Sequence, residues 1–85
     1  MNIQGLITQM KDGIATVIFE KIDTGEIRTM PCTLNEEVAQ VTMTIKNYDA
    51  NSTSLVMWAL DKEAWRDVRV STIKEWYVGM PKEEI

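Results

Sequence analysis

The chain has 85 residues, 45% apolar and 26% charged, and its nine Lys and Arg against thirteen Asp and Glu leave a net charge of −4. That length holds one modest core, and with four Gly and two Pro the composition is that of a single folded domain over 1–85 rather than a disordered tail. The lack of histidine excludes an imidazole base, a Ser-His-Asp triad and a His-ligated metal, and the single Cys32 excludes an internal disulfide and a multi-cysteine zinc site.

In chain order, Met1 to Gly5 carry no basic, apolar leader, so no signal peptide is expected and a cytoplasmic location follows. Ile3, Leu6, Ile7 and Met10 recur at helical spacing, predicting an amphipathic helix over 2–12, with Gly13 at a left-handed C-terminal position; the alternative is that Leu6 to Met10 begins a strand. Gly5 inside that helix costs about 1 kcal/mol relative to Ala, so packing must hold the helix. Ile14 to Glu20, β-branched and apolar on both sides, predicts a strand covered on both faces. A hairpin loop with Gly25 at positive φ leads to a second strand, Glu26 to Cys32, closed by Pro31, which suits an edge or a strand end.

Asn35 followed by Glu36 and Glu37 predicts a capped helical turn. Val41, Met43 and Ile45 alternate with polar residues, as in a short edge strand, and Asn47 to Thr53 forms the longest polar loop. Ser54 to Leu60 predicts a strand, Asp61 to Ala64 a turn, Trp65 to Val70 the returning strand, Ser71 to Lys74 a short 3-10 turn and Glu75 to Val78 the last strand. Residues 80–85 are expected to fray. The longest apolar runs, Leu55 to Leu60 and Trp76 to Met80, fall short of the roughly 20 residues that span a bilayer, so no membrane partner is expected. One helix with five or six short strands and no crossover helix makes a mainly β (α+β) fold, a small antiparallel barrel.

No catalytic constellation emerges, and no cofactor or metal site. Glu36-Glu37 and Glu83-Glu84 splay apart as sequence neighbours, Cys32 has no histidine base and reads as a buried small hydrophobe, and the four glycines are too scattered for a phosphate loop. The tryptophans and arginines say more. Trp58, Trp65 and Trp76 are many for this length, and Arg28, Arg66 and Arg69 all fall in predicted strands. Alternation puts Trp65, Asp67 and Arg69 on one face and Arg66, Val68 and Val70 on the other. Such a face can cap the barrel, with Asp67 paired to Arg69 or Arg28. It can instead anchor a protein interface or stack a nucleobase, the acidic balance weighing against the last.

Asp12-Gly13, Val17 to Lys21, Gly25 to Met30, Cys32 to Leu34, Val56 to Lys62, Trp65-Arg66-Asp67-Val68-Arg69 and Ile73, in that order and spacing, resemble a family of small Sm-like, SH3-type barrels. This family is related to the WYL-domain group and found mostly in tailed phages. The resemblance covers nearly the whole chain except 40–53, and its hairpin loop is one residue longer than the family's usual Lys-Asp-Gly. It implies an SH3/Sm-like barrel and a phage origin, and carries over no catalytic residue. By analogy with WYL-type regulators, whose arginine-lined barrel surface is thought to sense nucleotides or single strands, it makes Arg28, Arg66 and Arg69 ligand candidates.

The expectation is therefore a non-enzymatic phage accessory protein in the host cytoplasm, binding a host or phage protein. Trp65 and Arg69 form its patch, Arg66 or Arg28 flank it, and the loop bearing Tyr48 reshapes on contact. The alternative is a nucleic-acid or nucleotide-binding regulator. Self-association is a third option, because Sm-like barrels form rings through edge strands and Val41 to Ile45 offers one.

Overall fold

The computed structural model describes residues 2–42 and 51–82. Helix α1 (Ile3–Asp12) buries the stripe read from the sequence, Ile3, Leu6, Ile7 and Met10. Asn2 caps it, Oδ1 accepting the Gly5 N–H at 2.9 Å. At the other end the Gly13 N–H donates to the Gln9 C=O at 2.9 Å. Gly13 is not left-handed as expected. Its φ of 176° is extended backbone, and the chain passes directly from the helix into the first strand.

That strand, β1 (Ile14–Glu20), pairs antiparallel with β2 (Ile27–Thr33) on one side and with β5 (Ile73–Val78) on the other. With β3 (Ser54–Ala59) and β4 (Ala64–Arg69) they form one five-stranded antiparallel sheet in the order β4-β3-β2-β1-β5. Ala15, Thr16 and Val17 are all buried in succession, which is why the sequence of β1 shows no alternation. Ala15 and Val17 join Met30, Cys32, Leu55, Met57, Ala59, Val68 and Ile73 in a core that α1 closes. Thr16 points the other way and donates its hydroxyl to the Gly79 C=O at 2.7 Å. A register shift between Ile18 and Phe19 bends β1 against β5, as curling a small sheet requires.

Pro31 is neither at an edge nor at a strand end. It is buried within β2, which runs on to Thr33 and holds a central place in the sheet. The Lys21 N–H bonds the Glu26 C=O at 2.8 Å, and in that register Ala15–Cys32 and Val17–Met30 are hydrogen-bonded pairs. The backbone of Pro31 therefore faces β3, where its carbonyl accepts the Leu60 N–H at 2.9 Å. The β2–β3 register covers only Cys32–Ala59 and Thr33–Trp58, so the missing N–H falls where the ladder is already ending.

The β1–β2 hairpin turns through Gly25 at φ 73°, as its sequence indicated. Asn35 caps α2 (Glu36–Ala39), its Oδ1 accepting from the Glu37 and Val38 N–H groups, while its Nδ2 donates to the Lys11 C=O and ties the turn to α1. The β3–β4 turn occupies 60–63 rather than 61–64. Glu63 at φ 50° closes it one residue early and draws Ala64 into β4. The 3-10 turn lies at Val70–Thr72, so β5 begins at Ile73, two residues before its expected start. Val41 lies in a bend and Thr42 in no regular element, so the expected edge strand does not begin there. Residues 43–45 lie outside the described residues, and among the described strands the sheet's edges are β4 and β5. In the tail, the Lys82 N–H donates to the Tyr77 hydroxyl at 3.2 Å and its ammonium lies 5.7 Å from that ring's centroid. Residues 83–85 lie outside the described residues. Among the described residues no helix is long and apolar enough to cross a membrane.

Candidate functional site

The β3–β4 hairpin carries the strongest cluster of candidate residues. Its register sets Trp58 opposite Trp65, Val56 opposite Asp67 and Ser54 opposite Arg69, on the face away from buried Leu55, Met57 and Val68. Trp65 is 41% exposed. Its ring meets the half-buried Trp58 edge-on, with centroids 5.3 Å apart and planes at 81°. This T-shaped pair holds Trp65 in one orientation and leaves part of its surface to solvent. Asp67 and Arg69 continue the exposed row from Trp65.

Arg66 lies on the opposite face, as alternation demands, yet its guanidinium reaches back to donate to the Trp65 C=O at 3.1 Å. It therefore flanks the patch from the strand edge. Arg28 is placed differently. Its Nη2 stands 3.0 Å from Asp61 Oδ2, with 18% of the Arg28 side chain and 34% of the Asp61 side chain exposed. Asp61, not Asp67, is the partner of Arg28. With the Leu60–Pro31 bond, this pair fastens the β3–β4 turn to β2 and so fixes how the hairpin is presented. Tyr48 lies outside the described residues.

Asp67 and Arg69 also line an open groove of about 1030 Å³ between the tip of the β1–β2 hairpin, the start of β3 and the 3-10 turn. Phe19, Val68 and Val70 give it an apolar lining, and Glu20, Lys21, Asp23, Ser71 and Thr72 add polar groups. Glu20, Lys21, Asp23, Asp67 and Arg69 make no ion pair among the described residues, so the groove presents three anions and two cations to an incoming group. The sequence reading missed this groove because residues far apart in the chain meet there. In the sequence Trp58 is one of three tryptophans; its pairing with Trp65 follows from a turn at 60–63, where Glu63 is left-handed.

Cys32 is fully buried, its thiol donating to the Ala15 C=O at 3.3 Å and lying 3.6 Å from the Met10 sulfur. Burial, and then the negative charge of Asp61, push its pKa up to about 12. At neutral pH it is a protonated core residue. Among the described residues no three His, Cys, Asp or Glu side chains gather where they could hold a metal ion.

No curated protein and no solved structure matches the chain. A family model described as WYL_2, Sm-like SH3 beta-barrel fold, matches residues 3–74, from the start of α1 into β5. Five antiparallel strands in one sheet behind a leading helix are consistent with that fold, and the chain belongs to the WYL_2 family of Sm-like SH3 β-barrels.

Proposed function

We propose that this chain is a non-enzymatic binding module, a phage accessory protein of the host cytoplasm that seats a host or phage protein on the exposed face of β4. The observation that carries the reading is Trp65, partly exposed yet locked edge-on against Trp58, in line with Asp67 and Arg69. A large side chain with little rotational freedom left to lose is what a protein interface uses as an anchor. The mixed signs along β4 and in the groove favour a protein surface over a polyphosphate, which draws its affinity from clustered cations. With no histidine in the chain and its cysteine held protonated in the core, the side chains that most often serve as neutral-pH bases and nucleophiles are missing from this face.

The experiment is affinity capture from host lysate on the tagged full chain, with and without nuclease. The reading expects a protein that stays bound after nuclease treatment. Recovery that disappears with nuclease would overturn it in favour of the regulator reading, with Arg66 and Arg69 as phosphate contacts. A labelled oligonucleotide titrated at low and high salt then gives the characteristic steep loss of affinity.

A further inference from the structure

Hydrogen-bond parity decides which backbone groups of β4 face solvent. The Val70 N–H donates to the Thr53 C=O at 2.9 Å, one step beyond the β3–β4 register. Hydrogen-bonded and non-bonded pairs alternate along an antiparallel ladder, so Ala64, Arg66 and Val68 turn their N–H and C=O groups toward β3. Trp65, Asp67 and Arg69 turn theirs away from it, to a side where no strand of the described residues lies, because β4 ends their sheet.

Two of those three outward carbonyls are occupied within the chain. Arg66 Nη1 donates to the Trp65 C=O at 3.1 Å, and Thr72 Oγ1 donates to the Arg69 C=O at 2.6 Å. Among the described residues the open edge therefore reduces to the N–H and C=O of Asp67, flanked by the N–H groups of Trp65 and Arg69. The three exposed side chains on the same residues are aromatic, anionic and cationic at two-residue spacing, which is the spacing at which an adjacent strand reads them. Charged side chains on an edge also discourage indiscriminate pairing, so whatever pairs here must match them.

Building on the reading of this face as the binding surface, we propose that β4 accepts an extended segment of a partner protein as an added antiparallel strand. One residue of that segment exchanges both backbone hydrogen bonds with Asp67. The charge pattern specifies the segment: an acidic residue opposite Arg69, a basic residue opposite Asp67 and an apolar residue opposite Trp65.

The test uses the uniformly 15N-labelled full chain and the peptide acetyl-Thr-Glu-Thr-Lys-Thr-Phe-Thr-amide, whose lysine is set opposite Asp67. At a peptide concentration about ten times the dissociation constant, amide exchange at Trp65, Asp67 and Arg69 slows about 11-fold, while the already bonded Arg66 and Val68 amides are unchanged. Methylating the backbone nitrogen of the peptide lysine abolishes that protection. Asp67→Pro, which removes an outward N–H but no bond to β3, folds normally and loses the peptide; Asp67→Ala, which keeps the amide, still binds it.

The proposal is overturned if the peptide gives no saturable shift, if the N-methylated peptide binds equally, or if Asp67→Pro binds like the parent chain. Concentration-dependent protection of the edge amides without peptide makes a second copy the occupant. An oligonucleotide that shifts Trp65 and Arg69 without protecting the Asp67 amide makes it a nucleic acid, and either result replaces the added strand. In lysate capture, a protein lost by Trp65→Ala/Arg69→Ala but kept by Asp67→Pro removes the strand geometry and leaves the binding-face reading standing. A protein kept by both variants removes that reading itself.

Discussion

Gly5 sits inside α1, where replacement by alanine in a free helix stabilises by about 1 kcal/mol. In this fold the same substitution is expected to destabilise. A Cβ on Gly5 would lie 2.7 Å from Asn2 Nδ2, 3.0 Å from Asn2 Cγ and 3.2 Å from Trp76 Cζ2. The first two contacts force the Asn2 side chain to swing away, and with it goes the cap on the Gly5 N–H, a loss of about 1 kcal/mol. Propensity gain and cap loss then cancel. What remains is the displacement of Trp76 by a few tenths of an ångström where it packs against the core, about 1 kcal/mol at the low end for overpacking. Gly5→Ala should thus lower stability by about 1 kcal/mol, a fall in Tm of about 4–8 °C for a domain of this size. In an Asn2→Ala background the cap is already gone, so the same change becomes close to neutral, and the coupling between the two sites is about 1 kcal/mol. Urea titrations of the parent, both single variants and the double variant, followed by circular dichroism, measure all four corners of that cycle. A stabilisation of about 1 kcal/mol by Gly5→Ala alone, or strict additivity, would refute the close-packing account of this glycine.

Thr33→Val, nearly isosteric, should cost about 1–3 kcal/mol in the same titrations. The Thr33 hydroxyl, fully buried, serves the carbonyls of Met10 and Gly13 and accepts the Asn35 N–H, and valine replaces none of these bonds. A change below about 0.5 kcal/mol would contradict that role. Cys32 predicts an alkaline limb. Its folded pKa is raised from 9.0 to about 12, so the folded chain keeps a proton that the unfolded chain gives up. The thiol's contribution is therefore fully present below pH 9 and is lost as pH rises toward 12, by about 4 kcal/mol over the full window. Comparing urea stability of the parent and Cys32→Ala from pH 7 to 11 isolates this effect, and parallel pH profiles would contradict it.

What the sequence made legible was periodicity. The helical spacing of Ile3, Leu6, Ile7 and Met10 and the β-branched, mostly apolar run of β1 formed the elements read from them, and the strand that Leu6 to Met10 also allowed did not form. The alternation in Trp65 to Arg69 separated the two faces of β4 for the same reason. Features that depend on partners at a distance were not legible. Pro31 looked like a strand end because proline lacks a donor, but whether that donor is needed depends on how far β3 runs beside β2. The position of the β3–β4 turn rested on one left-handed residue, Glu63, whose side chain gives no such signal. Arg28 belonged with the other arginines by residue type and strand position; only the fold brings Asp61, thirty-three positions away, to its guanidinium. The groove between the β1–β2 tip and the 3-10 turn likewise exists only once the sheet has curled.

The central claim is that the Trp65–Arg69 row of β4 is a binding face, and affinity of a captured partner for the parent chain and for Trp65→Ala/Arg69→Ala tests it most directly. Loss of an anchoring tryptophan alone typically costs an interface about 2 kcal/mol or more, so the double variant, shown to be folded by circular dichroism, should bind at least about 30-fold more weakly. A folded double variant that binds within about twofold of the parent would contradict the account.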